Sequence, residues 1–178
     1  GATSATLTIT GAINILNNYR YRCNAITTCG ITPSNAATLT INIVTAIITQ
    51  PQAATVCSGG STTLCVTATG SNLTYQWESS VTCTGPFTNI SGGTSSCLNI
   101  TNAAATAVYR CKVTGTCGAT VTSACVTLTV INPATVTTQP ANQEVCAGSN
   151  VNFSVAGSST QTIIYQWQLS NDGGTIWN

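Results

Sequence analysis

The sequence predicts an all-β chain of tandem Greek-key β-sandwiches. Three observations carry that expectation: period-two patterning, an internal repeat of about 89 residues, and a high cysteine content. Ala37-Thr38-Leu39-Thr40-Ile41-Asn42-Ile43 alternates apolar and polar residues, the pattern of a half-buried strand. The polar positions are mostly Thr, Ser, Asn and Gln, and β-branched threonine suits a strand's solvent face. Helix formers are scarce, with no methionine in the chain.

The repeat sets the organisation. Thr49-Gln50-Pro51 returns as Thr138-Gln139-Pro140, and Val56-Cys57-Ser58-Gly59 as Val145-Cys146-Ala147-Gly148. Tyr75-Gln76-Trp77 returns as Tyr165-Gln166-Trp167. Tyr21-Arg22-Cys23 returns as Tyr109-Arg110-Cys111, and Cys29-Gly30 as Cys117-Gly118. Residues 49–133 therefore read as one complete domain. Residues 1–48 match the second half of that domain, with Leu7 and Ile9 standing where it has Leu98 and Ile100. Residues 134–178 match its first half. Two arrangements follow. The chain continues into further repeats, or the half-domain 134–178 is completed by residues 1–48 of the next repeat or subunit.

Within the complete unit the expected strands are Thr62–Thr69 (B), Leu73–Glu78 (C), Ser96–Thr101 (E), Val108–Thr114 (F) and Val121–Ile131 (G). Thr135–Gln139 opens the next unit. Asn171-Asp172-Gly173-Gly174 is a hairpin signal.

These features resemble the immunoglobulin superfamily. Trp77 stands on strand C, where that family keeps a core tryptophan, and Tyr109-Arg110-Cys111 is similar to its tyrosine corner. Trp167 and Tyr21 are the matching markers in the other repeat. More narrowly, the chain resembles immunoglobulin-like tandem repeats of giant secreted or surface proteins of bacteria, adhesins or filaments. That resemblance implies an immunoglobulin-like sandwich, an extracellular location and a structural or adhesive role. One departure is visible. Alternation points Leu64, Val66 and Ala68 inward on strand B and Cys65 outward, with Phe153 and Val155 as the inward pair of the next unit. The family's B-to-F core disulfide is thereby displaced.

The chain has 10 cysteines and no histidine, and no Cys-x-x-Cys motif. Metal and redox sites give way to disulfides, which place the chain in an oxidising, extracellular setting. The complete unit holds Cys57, Cys65, Cys83, Cys97, Cys111, Cys117 and Cys125; the other two segments hold Cys23, Cys29 and Cys146. Two schemes stay open. Cys57 and Cys146, at A–B turns, pair with Cys29 and Cys117, at F–G tips of neighbouring domains; or Cys57 pairs with Cys111 and Cys146 with the following Cys23. A bridge between Cys65 and Cys97, outward on neighbouring strands, fits either.

Charged residues make up 4% of the chain, against roughly 25% in ordinary soluble domains. A net charge of +1 offers neither a nucleic-acid footprint nor a polybasic membrane patch. No apolar run approaches the ~18 residues that span a bilayer. Without histidine, and with Glu78, Glu144 and Asp172 scattered along the chain, no catalytic, cofactor or metal site is expected. Arg110, Lys112 and Glu78 are expected outward on neighbouring strands, as a surface ion pair of little energetic weight or, less commonly, the makings of an isopeptide. Candidate glycosylation sequons stand at Asn72, Asn89, Asn99 and Asn152. The expected function is therefore not enzymatic. It is the structural protein of an extracellular filament whose partners are its own head-to-tail neighbours. The alternatives are an adhesin repeat that binds glycans or other cells, and a passive spacer in a giant secreted enzyme.

Overall fold

The computed structural model describes residues 2–178. After a 3-10 turn at Asn14–Leu16 come β1 (Arg20–Tyr21), β2 (Asn24–Thr27), β3 (Gly30–Pro33), β4 (Ala37–Thr38) and β5 (Ala46–Thr49). Next are β6 (Ala54–Cys57), β7 (Thr62–Cys65), β8 (Thr67–Thr69), β9 (Thr74–Ser80), β10 (Thr88–Asn89) and β11 (Cys97–Ile100). The last are β12 (Ala107–Thr114), β13 (Val121–Thr122), β14 (Val126–Ile131), β15 (Thr135–Thr138) and β16 (Ala156–Ser158).

The largest sheet has the order β10-β9-β12-β14-β6, with β13 also on β12. β7 pairs with β11, and β5 pairs antiparallel with β8. These are the strand neighbours of an immunoglobulin-like sandwich: A, B and E on one side, C, F and G on the other. The first strand is split at the buried Pro51, whose missing N–H interrupts the ladder. Ala46–Thr49 pairs antiparallel with strand B, and Ala54–Cys57 then runs parallel to β14. A chain threaded through that parallel pair enters at one end and leaves at the other.

The chain divides into two compact units. One comprises Gly1–Gln52, Leu64–Leu98 and Val108–Val126. Its core is Leu64, Val66, Trp77, Leu98, Val108, Cys111 and Val113, all buried. Alternation on strand B holds: Leu64 and Val66 are buried while Cys65 is exposed. Trp77 is fully buried, and its indole N–H donates to the Ser95 carbonyl at 2.9 Å. Its backbone N–H donates to Gly93 O at 2.7 Å. A Cβ at Gly93 would meet the Trp77 Cβ at 3.0 Å, tighter than an ordinary contact. Side chains of this size contribute about 1.5–3 kcal/mol each when fully buried. The second unit comprises Ala53–Thr63, Asn99–Ala107 and Thr127–Asn178, with Leu128 and Ala103 buried.

Two expected strands are broken. B is interrupted at Val66, where the chain changes partner from β11 to β5. G is interrupted at Ser123, whose Oγ accepts from the Cys111 N–H at 2.9 Å and so replaces a ladder bond. The hairpin at Asn171–Gly174 is closed by reciprocal backbone bonds between Leu169 and Asn178. Asp172 Oδ1 accepts from the N–H groups of Thr175 and Ile176 inside the turn.

Three core markers, Trp167, Tyr109 and Tyr21, are less buried than expected. Trp167 and Tyr165 are half exposed, touching Phe153 (ring centroids 6.3 Å) and the Gly157 N–H respectively. Residues 159–169 form no regular strand, so no sheet neighbour closes over these rings. Tyr109 is half-buried, but among the described residues its hydroxyl makes none of the backbone tie that defines a tyrosine corner. Tyr21 is likewise only half-buried.

Candidate functional site

Seven charged side chains serve the whole chain, and three of them meet on one face of the C–F strand pair. β9 and β12 place Glu78 opposite Arg110, and Lys112 opposite Gln76. Arg110 Nε donates to Glu78 Oε2 at 2.7 Å, and Lys112 Nζ donates to Oε1 at 2.6 Å. The Arg110 guanidinium lies 3.7 Å over the Phe87 ring. The expected surface pair is therefore not a surface pair: the Glu78 side chain is only 4% exposed. Its neighbour strand β10 lies on one side with Asn89 opposite it, and the two cationic stems lie on the other.

Burial pushes the Glu78 carboxyl up, but the hydrogen bonds and charges of Lys112 and Arg110 outweigh it and leave the group below its ordinary value of 4.5. Both carboxylate oxygens are occupied by cationic donors, which suits a fastener rather than an acid or base. A depressed folded pKa means that the stabilisation is present above the unfolded value and lost as pH falls through the folded one. Glu78→Gln is expected to cost about 2 kcal/mol at neutral pH. Urea titrations should show the wild-type midpoint falling below about pH 4.5 while the variant loses that part of its acid sensitivity.

The cysteines define the second feature. Cys65 is bonded to Cys97, and Cys83 to Cys125. The first joins the outer faces of strands B and E. The second ties the loop after strand C to the interruption in strand G. The loops overlap in sequence, since Cys83 lies between Cys65 and Cys97 and Cys125 lies beyond both. Cys23, Cys29, Cys57 and Cys146 are exposed and unpaired, Cys117 is half-buried, and Cys111 is buried. Within this chain Cys57 is bonded neither to Cys111 nor to Cys29, and Cys146 is not bonded to Cys117. Cys111 is fully buried in the core, opposite Trp77 in the β9–β12 register. Burial, with the Glu78 charge adding to it, pushes its thiol up to about 11. At pH 8 only about one molecule in a thousand carries the reactive thiolate.

The sequon asparagines Asn72, Asn89, Asn99 and Asn152 are all exposed. Asn99 accepts from Thr63 Oγ1 at 2.8 Å, and Asn72 donates to Thr116 Oγ1 at 2.9 Å. Among the described residues no three His, Cys, Asp or Glu side chains gather where they could hold a metal ion. No helix there is long and apolar enough to cross a membrane.

Sheet order and core define an immunoglobulin-like β-sandwich, with disulfides that stand away from that fold's B-to-F position. The model of a family described as "Domain of unknown function (DUF8696)" matches residues 46–132. Comparison with curated proteins gives no match. Among solved structures, the I-band fragment I67-I69 from titin aligns with a TM-score of 0.54 at 16% identity, covering 86% of this chain and 60% of that one. The N-terminal eight immunoglobulin domains of Down Syndrome Cell Adhesion Molecule align with a TM-score of 0.50 at 16% identity, covering 62% of this chain and 15% of that one. This chain thus spans less than two thirds of either. At such identities the likeness is one of fold.

Proposed function

We propose that this chain is a structural repeat of an extracellular fibre or stalk, of the kind built by bacterial surface proteins, and that it is not an enzyme. Residues 49–133 form its complete domain. The observation that carries this reading is the Cys83–Cys125 disulfide, which takes a separation of 42 residues out of the stretched path, with Cys65–Cys97 shortening it slightly further. Pulling on the domain's ends loads the shortest covalent path: Ala46 to Cys65, across to Cys97, back to Cys83, across to Cys125 and out to Asn132. That path contains roughly 40 residues, less than half of the stretch, so an opened domain extends little. Both bridges lie outside the tryptophan core, with Cys65, Cys83 and Cys97 exposed and Cys125 half-buried. The weakly charged surface supports the same role, because it lacks the repulsion that keeps proteins apart. Disulfides of this density belong to an oxidising, extracellular setting.

Electron microscopy of the native material tests the reading. Regular filaments with an axial repeat of one or two domains are expected. Dispersed monomers that bind glycans would contradict it and favour an adhesin.

A further inference from the structure

Beyond the structural role, we propose that the groove beside Lys112 binds an acidic polysaccharide through a sugar unit that carries one negative charge. Alternation puts Thr74, Gln76 and Glu78 of β9 on the same face as Arg110, Lys112 and Thr114 of β12. Thr120 stands just before β13, and its Oγ1 lies 2.8 Å from that of Thr114. Thr74, Gln76, Lys112, Thr114 and Thr120 line a groove of about 420 Å³. Sites for small ligands span roughly 300–1,000 Å³.

The charges are disposed for an anion. Residues 49–133 carry two cations and one carboxylate, so one positive charge is left over, and all three groups meet on this face. Glu78 is the fixed point. Its side chain is only 4% exposed, and it holds Arg110 through Nε and Lys112 through one of the three ammonium hydrogens. The Phe87 ring lies 3.7 Å from the same guanidinium. Lys112 is thereby held at the groove with two hydrogens to spare and its side chain 40% exposed. A cation fixed before the ligand arrives loses less freedom on binding.

The neutral groups suit a sugar. Both hydrogens of the Gln76 amide are spent on the Trp77 and Ile90 carbonyls, at 2.8 and 3.0 Å, so its oxygen is what it has left to offer a hydroxyl. Thr114 and Thr120 share one hydrogen between their hydroxyls, which leaves the other for a ligand. The fold itself does not require the charged trio, since in the repeat Gln168 and Asn24 stand at the places of Glu78 and Lys112. Exposed charge contacts are individually weak, so a polymer of such sugars and a fibre of such repeats reinforce one another.

NMR titration of the isotope-labelled 178-residue chain with trigalacturonate tests the site. The backbone amides of Gln76, Lys112, Thr114 and Thr120 should shift, and neutral maltotriose should leave them in place. Sulfated maltotriose shows whether the groove prefers a sulfate or a carboxylate; binding of either upholds the site. Lys112→Gln should weaken binding about tenfold or more, and Thr120→Val, which leaves the ion pairs intact, about threefold. Lys112→Arg should keep most of the affinity. Arg22→Gln, which removes an exposed cation elsewhere, should change nothing. Continued protection of Cys111 from maleimide reports that the domain is folded, and where Lys112→Gln loses it, Thr120→Val decides. The proposal is overturned by groove amides that respond to neither acidic sugar, or that respond equally to maltotriose. Equal weakening by Lys112→Gln and Arg22→Gln overturns it too, since binding would then follow charge alone. Those results leave the fibre reading standing, because microscopy of native material judges it separately.

Discussion

Replacing Trp77 with alanine is expected to cost the complete domain about 4–5 kcal/mol. The residue is fully buried, so the vacated volume has no solvent to fill it. The Ser95 carbonyl also loses the indole donor at 2.9 Å. Domains of this size hold about 5–15 kcal/mol in total, so the variant sits at the edge of unfolding at room temperature. Trp167→Ala is the internal control. Its half-exposed ring should cost less than about 1 kcal/mol in dilute, unassembled chain, although it belongs to the same Tyr-Gln-Trp motif. Urea titration monitored by near-ultraviolet circular dichroism measures both.

Removing the two disulfides has an effect at least as large. The bonded cysteines are separated by 32 and 42 residues. Closing loops of that length restricts the unfolded chain by about 3.5–4 kcal/mol each. The loops overlap, so the second bridge constrains a chain already restricted by the first, and the combined loss should be about 4–6 kcal/mol. Cys65→Ser with Cys97→Ser, and Cys83→Ser with Cys125→Ser, should each lower the urea midpoint, and the fourfold variant should fall short of their sum. The core should be unchanged in the variants that remain folded, because both bridges lie outside it.

Much of the sandwich was legible because a strand's side chains alternate and because the chain repeats itself. Period-two patterning places Leu64 and Val66 inside and Cys65 outside, on the face that also presents Cys97. The interruptions were not legible. Strand B changes partners at Val66, and strand G breaks where Ser123 substitutes its side chain for a ladder bond; both depend on neighbours far off in sequence. The partner of Cys83 was hidden for the same reason, since an irregular loop gives a cysteine no face. Alternation put Glu78 on the outer side of strand C, and it is there. What alternation does not contain is the second cation and the adjoining β10 strand, which together sink the carboxylate. Trp167 teaches the reverse lesson. A motif shared with Trp77 marks a strand position, but burial depends on which segment packs over it.

In a load-bearing repeat of this kind the disulfides limit how far each domain yields. Single-molecule stretching of the complete domain, with and without a thiol reductant, tests this most directly. At ~3.5 Å per residue the oxidised domain should extend to a contour of about 140 Å on unfolding, and the reduced one to about 300 Å. Equal extensions under the two conditions would contradict it.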